Sequence, residues 1–297
     1  MSTPAAEQPW TIRRVLDWTR GHFDKQQVDD PRLTSEILLS HVLSLPRVKL
    51  YMDLDRPLSK DELATYRGLI QRRIGGEPTQ YLVGFREFYG RRFTVDARVL
   101  IPRSETELLV EAALRDVKKD APSRVLDVCT GSGCIAVTIA AERPQASVWA
   151  TDLMPGALEV AKQNAVAHQV DGRVTFFQGD LFGPVPAGAT FDVIVSNPPY
   201  VKTGDLATLQ KEVRQEPREA LDGGPDGVTL IARVIEGALP RLKRGGLLAL
   251  EIGEDEGTAV RDLLTRAGYH DVKIEKDLAR HERLALGRAA PSSGQSP

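Results

Sequence analysis

Apolar and polar positions follow two different rhythms along this chain, and the change falls near residue 76. Before it the spacing is helical. Leu33, Ile37 and Leu38 fall on one helix face after Asp30-Pro31, which reads as an N-cap followed by proline at the first helical position. That helix should run to about Leu43. Ser59-Lys60-Asp61-Glu62 is a capping box, with Leu58 and Leu63 set as a hydrophobic staple and Tyr66, Leu69 and Ile70 continuing the apolar stripe. No strand pattern interrupts residues 11–75, and Gly75-Gly76 breaks the run. The expectation is a helical domain over residues 1–84, acting either as a brace or as a substrate-docking module.

After the break, extended pieces at Glu87-Phe88-Tyr89 and Arg92-Phe93-Thr94-Val95 flank Gly90, which predicts a β-hairpin connector over residues 85–97. From about Leu108 onward helices alternate with short apolar runs at 125–128, 148–150, 174–177, 193–195 and 247–252. Such alternation predicts an α/β domain, a parallel sheet flanked by helices, over residues 98–289. Residues 290–297, APSSGQSP, form a polar tail expected to be disordered.

Composition agrees with two soluble domains, since 297 residues with 41% apolar and 27% charged side chains can build ordinary packed cores. A net charge of -2 provides no global attraction to phosphate, although Arg72-Arg73 or Arg91-Arg92 could contact it locally, so no stable nucleic-acid partner is expected. The opening lacks a basic segment before an apolar core, and no run approaches membrane-spanning length. A cytoplasmic location and no membrane partner follow as expectations. Cys129 and Cys134 are the only cysteines and the five histidines are scattered, so neither a metal site nor a nucleophile motif is expected.

The first chemical signal is Arg124-Val125-Leu126-Asp127-Val128 running into Cys129-Thr130-Gly131-Ser132-Gly133 before a helical stretch. Glycines in a strand-to-helix turn let the backbone approach a nucleotide-type cofactor closely, although a tight structural turn would use the same residues. Asp152 closes the next strand nineteen residues past Gly133, where a carboxylate can accept both ribose hydroxyls. Asp180 and Leu181 after the third strand are candidates for the adenine amino group and ring; a helix-capping Asp fits Asp180 equally. Gly131-Ser132-Gly133-Cys134-Ile135-Ala136 also satisfies the dinucleotide G-x-G-x-x-A form.

The fourth strand ends in Asn197-Pro198-Pro199-Tyr200. Two prolines cannot continue a strand, so they make a rigid shelf. The Asn197 side-chain oxygen and the Pro198 main-chain oxygen can accept both hydrogens of one NH2 group, with Tyr200 as an aromatic wall. A planar amide or an exocyclic base amine suits such a shelf. A stiff loop that merely ends a strand is the plainer alternative.

Asn-Pro-Pro-Tyr after a fourth strand, in a sheet opening with Asp127-Val128-Cys129-Thr130-Gly131-Ser132-Gly133, resembles the amino-methyltransferases of adenine N6 and glutamine N5. Gln80-Tyr81-Leu82-Val83-Gly84, Glu87-Phe88-Tyr89-Gly90 and Leu100-Ile101-Pro102-Arg103-Ser104-Glu105-Thr106-Glu107 narrow the likeness. With these, nearly the whole chain resembles the release-factor glutamine methyltransferase family (PrmC/HemK). The resemblance implies a Rossmann-like S-adenosylmethionine-dependent methyltransferase domain behind a helical domain and a hairpin. It further implies transfer of the cofactor's methyl group to the N5 amide nitrogen of a glutamine in a peptide chain release factor, with S-adenosylhomocysteine as product and no metal. Cys129 to Gly133, Asp152, Asp180, Leu181 and Asn197 would then hold the cofactor, and Asn197, Pro198, Pro199 and Tyr200 the glutamine.

Ribosomal-protein glutamine and DNA adenine N6 methylation use the same shelf and are the alternatives. The second normally needs a basic target-reading region that this sequence does not display. A non-catalytic adenosine scaffold or a nicotinamide dehydrogenase would leave the shelf without a purpose. Cys129 departs from the wider pattern, which has glycine there, and should make the turn less permissive. The segments Glu216-Pro217-Arg218, Leu221-Asp222-Gly223-Gly224 and Glu251-Ile252-Gly253 also resemble the family; no chemistry is read from them.

Overall fold

The computed structural model describes residues 9–291. The opening residues and most of the predicted tail lie outside that range. The chain divides into two units: residues up to Gly84 together with Lys211–Gln215, and Phe85–Gln210 together with the remainder from Glu216.

Among the described residues, five α-helices build the first unit. Helix α1, Ile12–Lys25, buries Ile12, Val15, Leu16, Thr19 and Phe23, the spacing of one helical face, and Thr11 caps it through Arg14 N–H. In α2, Pro31–Leu43, proline takes the first turn, but Asp30 sits in the left-handed region at φ 43° and its side chain caps nothing. The Thr34 amide instead uses the Asp30 carbonyl, and the Thr34 hydroxyl the Asp29 carbonyl. The buried face also differs from the periodic expectation, because Leu33 is exposed and Ile37 half-buried while Thr34, Ser35, Glu36, Leu38 and Leu39 are inside. Ion pairing explains the shift. Glu36 is buried yet satisfied by Arg32 at 2.9 Å, by Arg47 of α3 (Arg47–Met52) at 2.7 Å and by Tyr51, and a polarity pattern counts such a glutamate as outside. Helix α4, Lys60–Ile74, carries both arms of the capping box between Ser59 and Glu62 and buries Tyr66, Leu69 and Ile70. Gly75 and Gly76 end it, and α5, Thr79–Val83, closes the segment. Glu212, from the later segment of this unit, pairs with the buried guanidinium of Arg73.

The second unit opens with strands β1, Phe85–Phe88, and β2, Arg91–Thr94, paired antiparallel. Tyr89 and Gly90 both have positive φ, 50° and 67°, as a two-residue type I′ turn requires. Phe88 and Phe93 fix the hairpin by burying their rings edge to face, 6.0 Å apart.

Alternating elements follow: α6 Glu107–Asp116, β3 Ser123–Val128, α7 Cys134–Glu142, β4 Ala146–Asp152, α8 Pro155–Ala167, β5 Val174–Gln178 and β6 Phe191–Ser196. A short parallel pair, β7 Val201–Lys202 and β8 Asp222–Gly224, precedes α9 Thr229–Ala238, β9 Leu242–Glu251, α10 Gly257–Ala267, β10 His270–Lys276 and β11 Glu282–Arg288. The seven-stranded sheet has the order β10-β11-β9-β6-β3-β4-β5. Its five predicted strands are parallel, whereas β11 runs antiparallel between β9 and β10. The edge strand β10, His-Asp-Val-Lys-Ile-Glu-Lys, is largely exposed and polar, so no apolar run announced it. Val125 and Val193 pack into the apolar layer shared with α6 and α7, and Leu126 and Ile194 into that shared with α9 and α10. Strand alternation therefore divides one sheet between two cores. Among the described residues no helix is long and apolar enough to cross a membrane.

Asn164 of α8 joins the hairpin to the loop that follows β3. Fully buried, it accepts from the Thr94 amide at 2.8 Å and donates to the carbonyls of Thr94 at 3.0 Å and Ser132 at 2.9 Å. Asn164→Ala leaves these backbone groups without partners and is expected to destabilise the second unit by about 2–4 kcal/mol. Equilibrium denaturation checks this, and an unchanged midpoint would remove Asn164 from its role as a brace.

Candidate functional site

Parallel pairing of β3 with β6 puts Val128 beside Ser196, so the loops leaving these strands open side by side at the carboxyl end of the sheet. The Ser196 hydroxyl fastens the two strand ends by donating to the Val128 carbonyl at 2.6 Å. β4 ends alongside, because Val128 also pairs with Thr151. Around these ends lies a cavity of about 310 Å³, within the range of small-molecule sites.

The loop after β3 turns through three left-handed residues, Cys129 at φ 62°, Gly131 at 54° and Gly133 at 78°. Cys129 adopts the conformation that glycine tolerates better, at a cost of roughly 1–2 kcal/mol. Burial, then the nearby carboxylates of Asp152 and Asp127, raise its thiol further from ionisation. A Cβ on Gly131 would meet no protein atom within 4 Å, whereas one on Gly133 would lie 2.9 Å from Ala161 Cβ. Gly131 thus leaves room for a ligand, and Gly133 lets α7 pack on α8.

Asp152 holds this loop from the end of β4. Its Oδ2 accepts from the Gly131 amide at 2.8 Å and its Oδ1 from the Met154 amide at 2.9 Å. Each oxygen keeps a further lone pair. Burial raises the Asp152 carboxyl above its ordinary range, and the amide donors draw it back. Beneath the loop, Asp127 is fully buried and its carboxyl is pushed up to about 7, chiefly by desolvation. Oδ2 accepts from the Thr130 hydroxyl and the Ala136 amide, while Oδ1 has no partner. Open space at Gly131 and the spare carboxylate lone pairs of Asp152 on the cavity wall fit a ligand that carries hydroxyls and positive charge, as S-adenosylmethionine does.

On the other side of the cavity stands the proline shelf. Asn197 donates through Nδ2 to the Thr106 hydroxyl at 3.2 Å, which leaves Oδ1 free of that contact. The Tyr200 hydroxyl points to Glu251 Oε1 at 3.4 Å. Burial, then the adjoining Glu251 carboxylate, raise the phenol further from ionisation. Glu251 itself, 2% exposed, is pushed up to about 7 by burial, against the opposing pull of the neighbouring Thr106 hydroxyl. The glycine segment at β8 closes over the shelf: a Cβ on Gly223 would lie 2.7 Å from Tyr200 Cα and 2.8 Å from the Pro199 carbonyl oxygen. No other residue fits there without moving the shelf.

Of the residues singled out in the sequence, Cys129, Thr130, Gly131, Ser132, Asp152, Asp180, Leu181, Asn197 and Pro199 line the one cavity. Gly133, Pro198 and Tyr200 are not on its wall. Asp180 is paired with Arg233 at the rim, and Leu181, at φ 46°, also belongs to an apolar core. Arg103, Thr106 and Asp222 line the cavity too, although the motifs containing them were assigned no chemistry. Buried Glu216 explains one of those motifs. It accepts from Arg103 at 2.6 Å and from the Ile101 amide at 3.0 Å, so it fixes the Pro102-Arg103 turn beside the cavity.

The sheet order and the two loops define a Rossmann-like methyltransferase domain attached to a separate helical unit. Residues 14–84 match the family described as PrmC N-terminal domain, and residues 104–227 match Methyltransferase small domain. A release factor glutamine methyltransferase of Geobacter sulfurreducens is 46% identical over 280 residues, covering 94% of this chain and 97% of that one. One of Rhodopirellula baltica is 41% identical, covering 96% and 98%. The chain belongs to the release factor glutamine methyltransferase family. Solved structures similar in fold include the hMettl16 catalytic domain, with a TM-score of 0.57 at 16% identity over 69% of this chain and 77% of that one. A methyltransferase from Pyrococcus furiosus gives 0.51 at 19% identity, over 68% and 90%.

Asp152→Ala removes the carboxylate that faces the cavity and also frees the Gly131 and Met154 amides. The dissociation constant for S-adenosylmethionine is expected to rise by about ten- to a hundredfold, the loss of a charged hydrogen-bond partner. Titration calorimetry reads this directly, and an unaltered constant would sink the assignment.

Proposed function

We propose that this chain transfers the methyl group of S-adenosylmethionine to the side-chain amide nitrogen of a release-factor glutamine. The cofactor would be held by the Cys129–Gly133 loop, Asp152, Asp180 and Leu181, and the amide by Asn197 to Tyr200. The orientation of Asn197 carries the reading. With Nδ2 engaged by Thr106, its acceptor oxygen is the end available to an incoming NH2 group. S-adenosylhomocysteine is the product, and the reaction as read here uses no metal.

Bound S-adenosylmethionine supplies an electrophilic methyl group on a positively charged sulfur. The task left to the protein is to present a weak nucleophile, since the amide lone pair is delocalised into its carbonyl. Asn197 Oδ1 and the Pro198 carbonyl accept the two amide hydrogens, orient the nitrogen and favour positive charge as it develops there. A strong base is not required before transfer, because the alkylated nitrogen releases its proton readily. The half-buried wall of the shelf limits competing water.

The helical unit is the docking candidate for the protein substrate. Among the described residues, six of the ten exposed large apolar side chains belong to it, including Trp18 at 51%, Val48 at 66% and Met52 at 69% exposure, and such surface marks interaction sites. The double substitution Val48→Asp with Met52→Asp is expected to raise KM for a release factor severalfold without changing kcat or cofactor affinity. An unchanged KM would end the docking assignment for this face.

Radiolabelled S-adenosylmethionine offered with a release factor, a ribosomal protein or DNA tests the acceptor. Label should enter the release factor alone, at a glutamine, and label in either of the others at a comparable rate would overturn the choice. In the same assay Asn197→Ala should lower kcat by about ten- to a hundredfold while leaving cofactor affinity within about twofold. Asn197→Asp keeps an acceptor but loses the donor to Thr106, so its rate should fall between those of alanine and the wild type.

A further inference from the structure

The helical unit has a cavity of its own, about 210 Å³, to which the proposed mechanism gives no task. Three helices supply its charged wall. Arg13, Asp17 and Arg20 stand at i, i+4 and i+7 on α1 and so share one face. Arg32 and Glu36 stand one turn apart on α2, and Tyr51 comes from α3.

These groups are unequally engaged. Glu36, 3% exposed, spends both oxygens inside the protein: Oε2 accepts from Arg47 at 2.7 Å, and Oε1 from Arg32 Nε at 2.9 Å and from the Tyr51 hydroxyl. The Tyr51 oxygen in turn accepts from Arg32 Nη2 at 3.0 Å. Arg32, Glu36 and Tyr51 therefore close a ring of hydrogen bonds that holds the Arg32 guanidinium at two nitrogens and leaves Nη1 to the cavity. Arg13 has one long, exposed pair with Asp55 at 3.5 Å. Arg20 has no hydrogen-bond or ion-pair partner among the described residues.

A held guanidinium and a free one on the same cavity suit an oxyanion, which takes paired N–H donors. The volume falls below the roughly 300–1,000 Å³ of small-molecule sites and fits a single side chain. Three arginines against Asp17 and Glu36 leave the wall one positive charge. A carboxylate balances that charge, whereas a phosphate dianion would overshoot it and be repelled by both acidic groups. We propose that this cavity is a docking socket for an aspartate or glutamate side chain of the release factor, with Arg20 and Arg32 as its donors. This inference rests on the docking role given to the helical unit.

The test is steady-state methylation of a release factor by the full chain, with titration of S-adenosylmethionine and thermal unfolding of each variant. Arg20→Gln, at an exposed position, should raise KM by about five- to tenfold with kcat and the cofactor dissociation constant within about twofold of wild type. Arg20→Lys keeps the charge without the fork and should recover part of the loss. Added salt should raise the wild-type KM more than that of Arg20→Gln, since screening weakens only a contact that is made. A hexaglutamate peptide should compete with the release factor on the wild type and not on Arg20→Gln, and an oligoribonucleotide of equal charge should compete on neither. Arg67→Gln removes an exposed cation of α4 outside the cavity and should leave KM within about twofold. An unchanged KM in Arg20→Gln, an equal rise in Arg67→Gln, or competition by the oligoribonucleotide in place of the peptide overturns the socket. If KM is also unchanged in the Val48→Asp, Met52→Asp double variant, the docking reading has fallen with it. If that variant alone raises KM, docking stands and only the socket has failed.

Discussion

Two prolines in succession at the end of a central strand deprive the acceptor shelf of a hydrogen-bonded ladder, so its position has to come from packing. Strand β8 supplies that packing. Gly223 is the point of closest approach, with room for a hydrogen but not a methyl group against Pro199 and Tyr200, and Gly227 is equally close, a Cβ there falling 2.7 Å from the Tyr200 carbonyl oxygen. Short pairing between β7 and β8 holds the register. The rest of the site is arranged around this fixed edge, because the shelf can face the cofactor loop only while its outer side is filled.

The two halves of the cavity are therefore held by different forces. Hydrogen bonds accepted by carboxyl groups hold the glycine loop, Asp152 taking the Gly131 amide and the buried Asp127 the Thr130 hydroxyl and the Ala136 amide. Such bonds are directional, and burial strengthens them. Contact between backbone atoms holds the acceptor shelf, which admits little adjustment. Asn164 ties the first half to the hairpin through Ser132 and Thr94, so a shift of α8 is passed to the loop.

Much of this was legible in the sequence because the signals are local. Five parallel strands, the capping box at Ser59, the hairpin around Gly90 and both loops follow from neighbouring residues. What escaped depends on distant partners. Glu36 is inside only because Arg32, Arg47 and Tyr51 surround it, and no periodicity records that. Glu216 meets Arg103, and Glu251 stands by Thr106 and Tyr200, across more than a hundred positions or between separate loops. The motifs containing them were visible, but their chemistry was not, since a spacing along the chain does not state which side chains converge. Tyr200 illustrates the same limit: it reads as a cavity wall, yet its hydroxyl turns inward to Glu251. Strand β11 was missed for another reason, because Glu-Arg-Leu-Ala-Leu-Gly-Arg is charged at both ends.

The return of the chain to the helical unit at Lys211–Gln215 bears on how the protein is made. Arg73 is 3% exposed, and burial lowers its affinity for its proton; its carboxylate partner Glu212 lies 139 positions later. A nascent chain emerging from the ribosome therefore holds all five α-helices of this unit long before it holds Glu212. The helices are left with a buried cation lacking this partner until more than two thirds of the polypeptide has been synthesised, and at several residues per second that wait lasts roughly ten seconds or more. Helix formation and completion of the unit are separate events in time, and the second belongs to the same stretch of synthesis that delivers the acceptor shelf.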